Sequence, residues 1–425
     1  MQTPPRTPWM EISLIILGLI GLLFYWGVAA LMVISGLLGM SGTSSAAEAS
    51  QPFVLGTMFG FIGLLLVPGL WTAFQKLQNR IEPDGDARLP FALWHIPLIL
   101  IAWAAGLFAG QWAVDAPSPA WILLPILIPL CVVPPIWLIM GLAGRGYHFR
   151  PRWRNWNALT IGTTFGPFVI LIVEVIVLGT LLAAVVLFIM SQPEMMEKMQ
   201  ALAFRMQYAQ SEEAMLALMG PLVASPGFIG TLLFAVSLLV PLVEELLKPL
   251  AVWIFARRLE TRLDGFVLGA LCGAAYALFE TGGLGAAAGG DWLLVLGARG
   301  GTSLLHIATS AWMGSAIVPA IRERKIVQLF GVYALSIFLH GTWNALSIFS
   351  GLGAAANGQP GAGWLVAAGK FAPFGMGALA AVLLALVIFQ QNRFQDLHNQ
   401  KMAMAIAPVA DLPASESENP ETVIR

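Results

Sequence analysis

The residues of this chain that could do chemistry sit inside long apolar runs, and most fall in its second half. The segment Pro241–Pro249 reads PLVEELLKP and carries Glu244, Glu245 and Lys248. On a helix the lysine lies one turn beyond both acids, so both carboxylates can reach its ammonium. The flanking prolines weaken the backbone ladder and favour a kink there. A second segment, Asp264–Thr281, places Tyr276 and Glu280 four residues apart. Glu280 has no basic residue within a turn, so its partner must come from another helix. His306 stands alone in RGGTSLLHIATSAWMGSA, with Thr302 and Ser310 one turn to either side. His340 and Asn344, in FLHGTWNAL, share a helix face and can each donate or accept. A charged side chain at a bilayer centre costs roughly 2.5–3.5 kcal/mol even on a lenient scale, so such groups mark ion pathways or other function. Taken singly, each has a structural account as well: a buried ion pair at Lys248, and hydrogen-bonded packing histidines.

The elements that must position these groups are membrane helices. Of 425 residues, 58% are apolar and only 11% charged, about half the roughly 25% of a soluble domain. Too few charges exist to coat a water-facing surface, and a net charge of −1 gives no case for nucleic acid. Cys131 and Cys272 lie in apolar runs and read as small hydrophobes. A bilayer-crossing helix needs about 20 apolar residues, and ten runs qualify: about 12–40, 53–74, 92–114, 120–143, 158–190, 228–256, 264–286, 300–320, 326–349 and 371–390. With the N-terminus in the cytoplasm, seventeen Lys and Arg residues fall on the inner side and four outside (Lys198, Arg205, Arg299 and Lys370), with Lys248 inside a span. That bias supports ten helices with both termini cytoplasmic. The fold class is therefore all-α and polytopic, in a cell membrane, most simply a bacterial cytoplasmic membrane. Four regions are expected: an N-terminal five-helix part (1–190), an external segment with a surface-lying helix over Met195–Leu218 (191–227), a core bearing the polar residues (228–390), and a disordered cytoplasmic tail (391–425). The glycines Gly265, Gly269 and Gly273, continued by Ala277, form a stripe that permits close helix–helix approach. Glu174, the one acid inside the first five spans, is expected to have a structural role.

The ordered set EExxK (Glu244, Glu245, Lys248), aromatic-xxx-Glu (Tyr276, Glu280), a lone His306 and HxxxN (His340, Asn344) resembles the PrsW-type intramembrane proteases, relatives of the CAAX prenyl endopeptidases and bacteriocin-processing membrane proteases. The resemblance covers about residues 224–350. It implies a glutamate-dependent endopeptidase acting on a membrane protein or membrane-bound peptide. Its catalytic residues fall on Glu244, Glu245, Glu280, His306, His340 and Asn344, with Lys248 and Tyr276 supporting them. Two positions depart from the family pattern: Tyr276 stands where Phe is usual, and Thr281 where Asn is usual.

Peptide hydrolysis needs an activated water and an oxyanion donor. There is no GxSxG, neither cysteine has a histidine one turn away, and Asp264 and Asp291 sit at span ends. Two routes remain. In one, Glu244 or Glu245 is a general base, worth about 10²–10⁴-fold, and His306, His340 and Asn344 stabilise the oxyanion. In the other, Glu245, Glu280, His306 and His340 hold zinc, although no HExxH pair is present. The expectation is the route without a cofactor, with zinc as the alternative. A proton- or ion-coupled transporter built on the same Glu/His cluster is the competing function, and a catalytically idle scaffold a third. Counted along the helices, Glu244 falls about ten residues deeper than Glu280 and His306, so a single site requires the sixth span to tilt or bend.

Overall fold

The fold comes from a computed structural model that describes residues 8–39, 46–80, 88–116, 120–149, 151–356, 358–359 and 361–406. Among these residues there is no strand, and ten helices are long and apolar enough to cross a membrane. The chain is an all-α, multi-pass membrane protein. The first four spans are α1 (Trp9–Gly39), α2 (Ala46–Leu77), α3 (His95–Asp115) and α4 (Leu124–Ala143). The fifth is broken at Thr164 into α5 (Arg152–Thr163) and α6 (Phe165–Met190). The region 191–227 holds two helices, α7 (Pro193–Gln207) and α8 (Glu212–Val223), rather than one. Ser211 starts the second by accepting a hydrogen bond from the Ala214 amide at 3.1 Å.

The sixth span is assembled from pieces: α9 (Pro226–Phe234), a π-helical turn (Ala235–Leu239), α10 (Val240–Leu247) and α11 (Leu250–Phe255). Pro241 and Pro249, which lack amide donors, bracket α10. Beyond it lie α12 (Arg262–Gly285), α13 (Trp292–Glu323), α14 (Ile326–Ala355) and α15 (Gly363–Ile406). Two expected boundaries are corrected. The eighth span begins at Trp292, not near 300, so Arg299 is a helical residue and not an external-loop charge. The tenth continues through Ile406, where a disordered tail from 391 was expected. Tertiary contacts explain the extension: Phe394 is buried edge-to-face on Phe266 at 5.6 Å, and Gln391 donates to the Arg145 carbonyl at 2.7 Å. Residues 407–425 of that expected tail lie outside the described residues.

The centre of the bundle is the α12–α13 hairpin. Its apolar stretches are 78% and 83% buried, against 22% for α14 and 17% for α15. The glycine stripe explains this closeness. A Cβ at Gly265, Gly269 or Gly273 would overlap the backbone carbonyl of Gly314, Ser310 or His306 respectively, so the two main chains touch along three turns. Both ends of the hairpin are pinned from outside. At the turn, Gln111 of α3 donates to the Gly290 carbonyl and accepts from the Leu293 amide, both at 2.9 Å, satisfying an otherwise open helix start. At the other end, Asp264 accepts from the Thr261 amide (2.9 Å) and hydroxyl (2.8 Å) and from Tyr147 (2.6 Å). Arg154 donates to the Tyr147 oxygen at 3.2 Å. Burial, and then the Asp264 charge, push the Tyr147 hydroxyl above its ordinary range.

Candidate active site

Four helices and the kink that follows α10 bring the polar residues together. Helix α10 supplies Glu244 and Glu245, the kink before Pro249 supplies Lys248, α12 supplies Tyr276 and Glu280, α13 supplies Arg299 and His306, and α14 supplies His340. The π turn and the prolines bend the sixth span so that Glu244 meets residues that a straight count places about ten positions away. Such single-turn π segments recur at functional sites. Helix α14 reaches the turn because a Cβ at Gly341, next to His340, would overlap the Ser237 carbonyl.

The ammonium of Lys248 lies at the middle. It is 2.5 Å from Glu245 Oε1, 3.4 Å from Glu244 Oε2, 3.0 Å from His306 Nδ1 and 3.4 Å from His340 Nδ1. Glu244, Glu245, Lys248, His306 and His340 are all buried, Glu245 completely. Lys248 also faces the Tyr276 ring at 5.5 Å, and that ring meets His306 edge-on at 5.1 Å. A lysine this buried needs paired carboxylates, and the two adjacent acids provide them.

Each histidine is held by a carboxylate on one nitrogen. His306 Nε2 is 2.6 Å from Glu280 Oε2, and His340 Nδ1 is 2.7 Å from Glu245 Oε1. With those nitrogens as donors, His306 Nδ1 and His340 Nε2 carry the lone pairs. Glu280 is half-buried and takes Arg299 as its second partner, with Nη2 at 2.7 Å from Oε2. Arg299 Nε also donates to Thr281 Oγ1 at 3.3 Å, so the hydroxyl standing where the resembling family has Asn takes part in the same network.

Of the residues singled out in the sequence, Asn344 alone is directed elsewhere. Its Nδ2 donates to the Val236 carbonyl at 2.9 Å, tying α14 to the π turn. Two further residues were not placed in the site from the sequence. Arg299 was assigned to a loop, yet it is opposite Glu280 in the same hairpin register that sets Gly273 against His306. Glu174 of α6 turns its carboxyl toward Glu244, as does the Tyr276 hydroxyl. Glu174 Oε1 is buried without a hydrogen-bond partner, and so is Glu244 Oε2.

The residues fit a divalent ion. Glu244, His306 and His340 offer ligand atoms within 4.8 Å of one another, all buried. Two histidines and a glutamate form a catalytic zinc donor set, and carboxylates on the far ring nitrogens are what such ligands need. The grouping differs from the sequence expectation of Glu245 and Glu280 as ligands. Both instead sit behind the rings they orient.

No curated protein and no solved structure matches the chain. A family model described as PrsW family intramembrane metalloprotease matches residues 151–374, just over half of the chain, from α5 into the first turns of α15.

Proposed function

The chain belongs to the PrsW family of intramembrane metalloproteases, and from that premise we propose that its buried Glu/His/Lys cluster hydrolyses a peptide bond of a membrane-associated protein. The observation that carries this reading is the convergence of two carboxylates, two histidine rings and a central ammonium in a buried space. A transporter built on the same groups is less well supported. Their geometry is a closed knot on adjoining helices rather than a chain of groups across the membrane.

Glu245 is committed twice through Oε1, to Lys248 and to His340. Oε2 of both glutamates lacks a hydrogen bond, but Glu244 is held more loosely, meeting Lys248 at 3.4 Å against 2.5 Å for Glu245. Glu244 is therefore the carboxylate that takes the proton of the attacking water and later delivers it to the leaving amine. Glu245 and Glu280 are positioning residues that hold the His340 and His306 rings. Lys248 is the positive charge facing the developing oxyanion, and such preorganised charge is worth most where water is excluded. Asn344 anchors the π turn that aims Glu244. A divalent ion held by Glu244, His306 and His340 would supply Lewis-acid polarisation of the scissile carbonyl and of water. Glu245, outside that ligand set, would then be the carboxylate left to take the proton.

Substrate reaches the site through a cleft of about 990 Å³ between α13, α14 and α15, lined in part by Arg299, Thr302 and Trp343. Thr302 accepts from the Trp343 indole at 3.2 Å, fixing its wall. We take both termini as cytoplasmic, the orientation that the bias of Lys and Arg supports, and the cleft then opens outward. The test is cleavage of a reconstituted membrane-protein substrate. Glu244→Gln should abolish turnover while the protein still inserts. Full activity after metal chelation, in protein shown to be metal-free, supports the glutamate centre. Loss on chelation, restored by zinc, supports the metal centre. Retained cleavage in the Glu244→Gln/Glu245→Gln double variant would overturn the protease reading.

A further inference from the structure

Resting on the protease reading above, we infer that Trp343 limits the size of the substrate side chain beside the scissile bond, so that the site takes a membrane segment with alanine or a residue of similar bulk there. The cleft of about 990 Å³ begins at the α12–α13 turn, beside Gln111 and Gly290, and runs along α13 and α14 toward the histidines. The space changes along the way. At the lining residues Gly297, Gly351 and Gly377 an added Cβ would meet nothing within 4 Å. At Gly301, one turn deeper than Gly297, it would overlap the six-membered ring of Trp343. The room that the other glycines leave for a peptide is filled at this level by the indole.

The indole is a fixed wall. Trp343 is buried, and its Nε1 donates to Thr302 Oγ1 at 3.2 Å. That hydroxyl donates its own proton to the Ala298 carbonyl at 3.3 Å, so it is left to accept from the ring. The opposite edge of the ring lies on α13 at Gly301, where only glycine leaves room for it. Held at both edges, the ring cannot swing aside for a larger side chain without breaking a hydrogen bond and leaving its seat.

Helix geometry gives its distance from the reacting groups. Trp343 is three residues from His340 on α14, and Thr302 is four from His306 on α13. The Trp343–Thr302 layer therefore stands about 4.5–6 Å from the histidine layer. An extended peptide advances about 3.3–3.6 Å per residue. A substrate with its scissile carbonyl at the histidines has its next one or two residues against the indole. Arg299, which pairs with Glu280 behind His306, lines the same cleft and joins it to the cluster. Even one extra methylene is worth about 10–200-fold between substrates in a fitted pocket, and leucine carries three more carbons than alanine.

The experiment uses the full chain reconstituted with leucine-rich single-span peptides. Each carries a short window of Ala, Leu or Phe at one of several depths, and products are mapped by mass spectrometry. Ala and Leu are both strong helix formers, so a difference between them reads size rather than ease of unwinding. The wild type should cleave the Ala window about 10²-fold or more faster than the Leu window. Trp343→Leu should gain at least about tenfold on the Leu and Phe windows. Trp343→Phe, which keeps an aromatic ring in the core, should gain on the Leu window by a smaller factor. A higher absolute rate on a bulky substrate cannot come from misfolding. Wild-type cleavage indifferent to the window, no gain in either variant, or loss of all cleavage in both would overturn the size limit. Cleavage that the Glu244→Gln/Glu245→Gln variant abolishes supports the protease centre whatever the window preference, so a failed preference then overturns the size limit alone. Cleavage retained in that double variant, or cleavage of no window by the wild type, would overturn both.

Discussion

The α1–α2 pair and the α12–α13 hairpin both use glycine to bring helices together, but the glycines meet different things. In the first pair, Gly18 accepts the side chain of Leu70, Gly36 the ring of Phe53 and Gly63 the ring of Trp26. In the hairpin, Gly265, Gly269 and Gly273 each accept a backbone carbonyl. A side chain can change rotamer to make room for a methyl group, whereas a main chain moves only by moving its helix. The difference tracks the proposed site. His306 and Glu280 belong to the helices held main chain to main chain, while α1 presents Ile20, Leu23 and Leu31 outward. Precision in this molecule is concentrated where a misplacement of about 1 Å can cost 10²-fold in rate.

The comparison breaks or holds most clearly at Gly273. Its missing Cβ faces the carbonyl of His306 itself. Gly273→Ala should separate the hairpin, destabilise the protein by about 1–3 kcal/mol or more, and remove activity beyond detection. Gly18→Ala, opposed only by the end of Leu70, should cost about 1 kcal/mol or less and keep near-wild-type turnover. Paired measurements of thermal stability and cleavage decide it. Equal effects in the two variants would mean that the backbone contact confers no special precision.

The same contrast shows what could be read from the sequence. The ten spans were legible because twenty-residue apolar runs have few alternatives in a chain with so little charge, and the glycine stripe was legible as a contact face. Its register was not used, although it contains more. Setting Gly273 against His306 also sets Glu280 against Arg299, at equal distances from the turn near Gly289, which identifies Arg299 as the partner Glu280 had to find. The eighth span was expected to begin near 300, with Arg299 outside it; in the fold that charge is neutralised by Glu280 inside the bundle. The π turn could not be read at all. It depends on Asn344 and Gly341 of α14 meeting the carbonyls of Val236 and Ser237, more than a hundred residues away along the chain.

Lys248 tests whether the hairpin geometry serves an ammonium or a metal ion. The ammonium sits 3.0 Å from His306 Nδ1 and 3.4 Å from Glu244 Oε2, where it would repel a divalent ion held by those atoms. If the internal ammonium is the working charge, Lys248→Met should lose about 10³-fold or more in turnover, of the order of an oxyanion donor, and purify without metal. If an ion is used, the same variant should bind zinc more tightly than wild type, measured by metal content after dialysis against a graded chelator. Unchanged turnover with unchanged metal content would remove Lys248 from both mechanisms.

Gly341 carries the comparison to a third contact of the same kind, between α14 and the π turn. Its Cβ would meet the Ser237 carbonyl, yet only one turn is involved rather than three. Gly341→Ala should therefore cost less stability than Gly273→Ala while shifting His340 from Glu245, with about a 10²-fold loss in kcat. A drop in stability without loss of kcat would show that the π turn absorbs the displacement and that His340 stays in register.

Glu174 gives the smallest expected effect and the finest test, because it brings α6, otherwise lipid-facing with Leu171, Val175 and Leu182 exposed, into the site. Its carboxyl lies against that of Glu244, with Oε1 buried and unpartnered. Two such groups can hydrogen-bond only if one of them carries a proton. We propose that this contact makes Glu174 an orienting residue for Glu244. A glutamine at 174 supplies a permanent donor in nearly the same shape, so Glu174→Gln should stay within about threefold of wild type, while Glu174→Leu should lose about tenfold, the worth of one modest hydrogen bond. Thermal stability should be the same in both, since α6 keeps its apolar contacts. If the glutamine variant is as impaired as the leucine variant, a fixed donor is not enough and the proton on Glu174 must move during turnover. If both are fully active, the hairpin and α14 hold Glu244 without help from the first half of the chain.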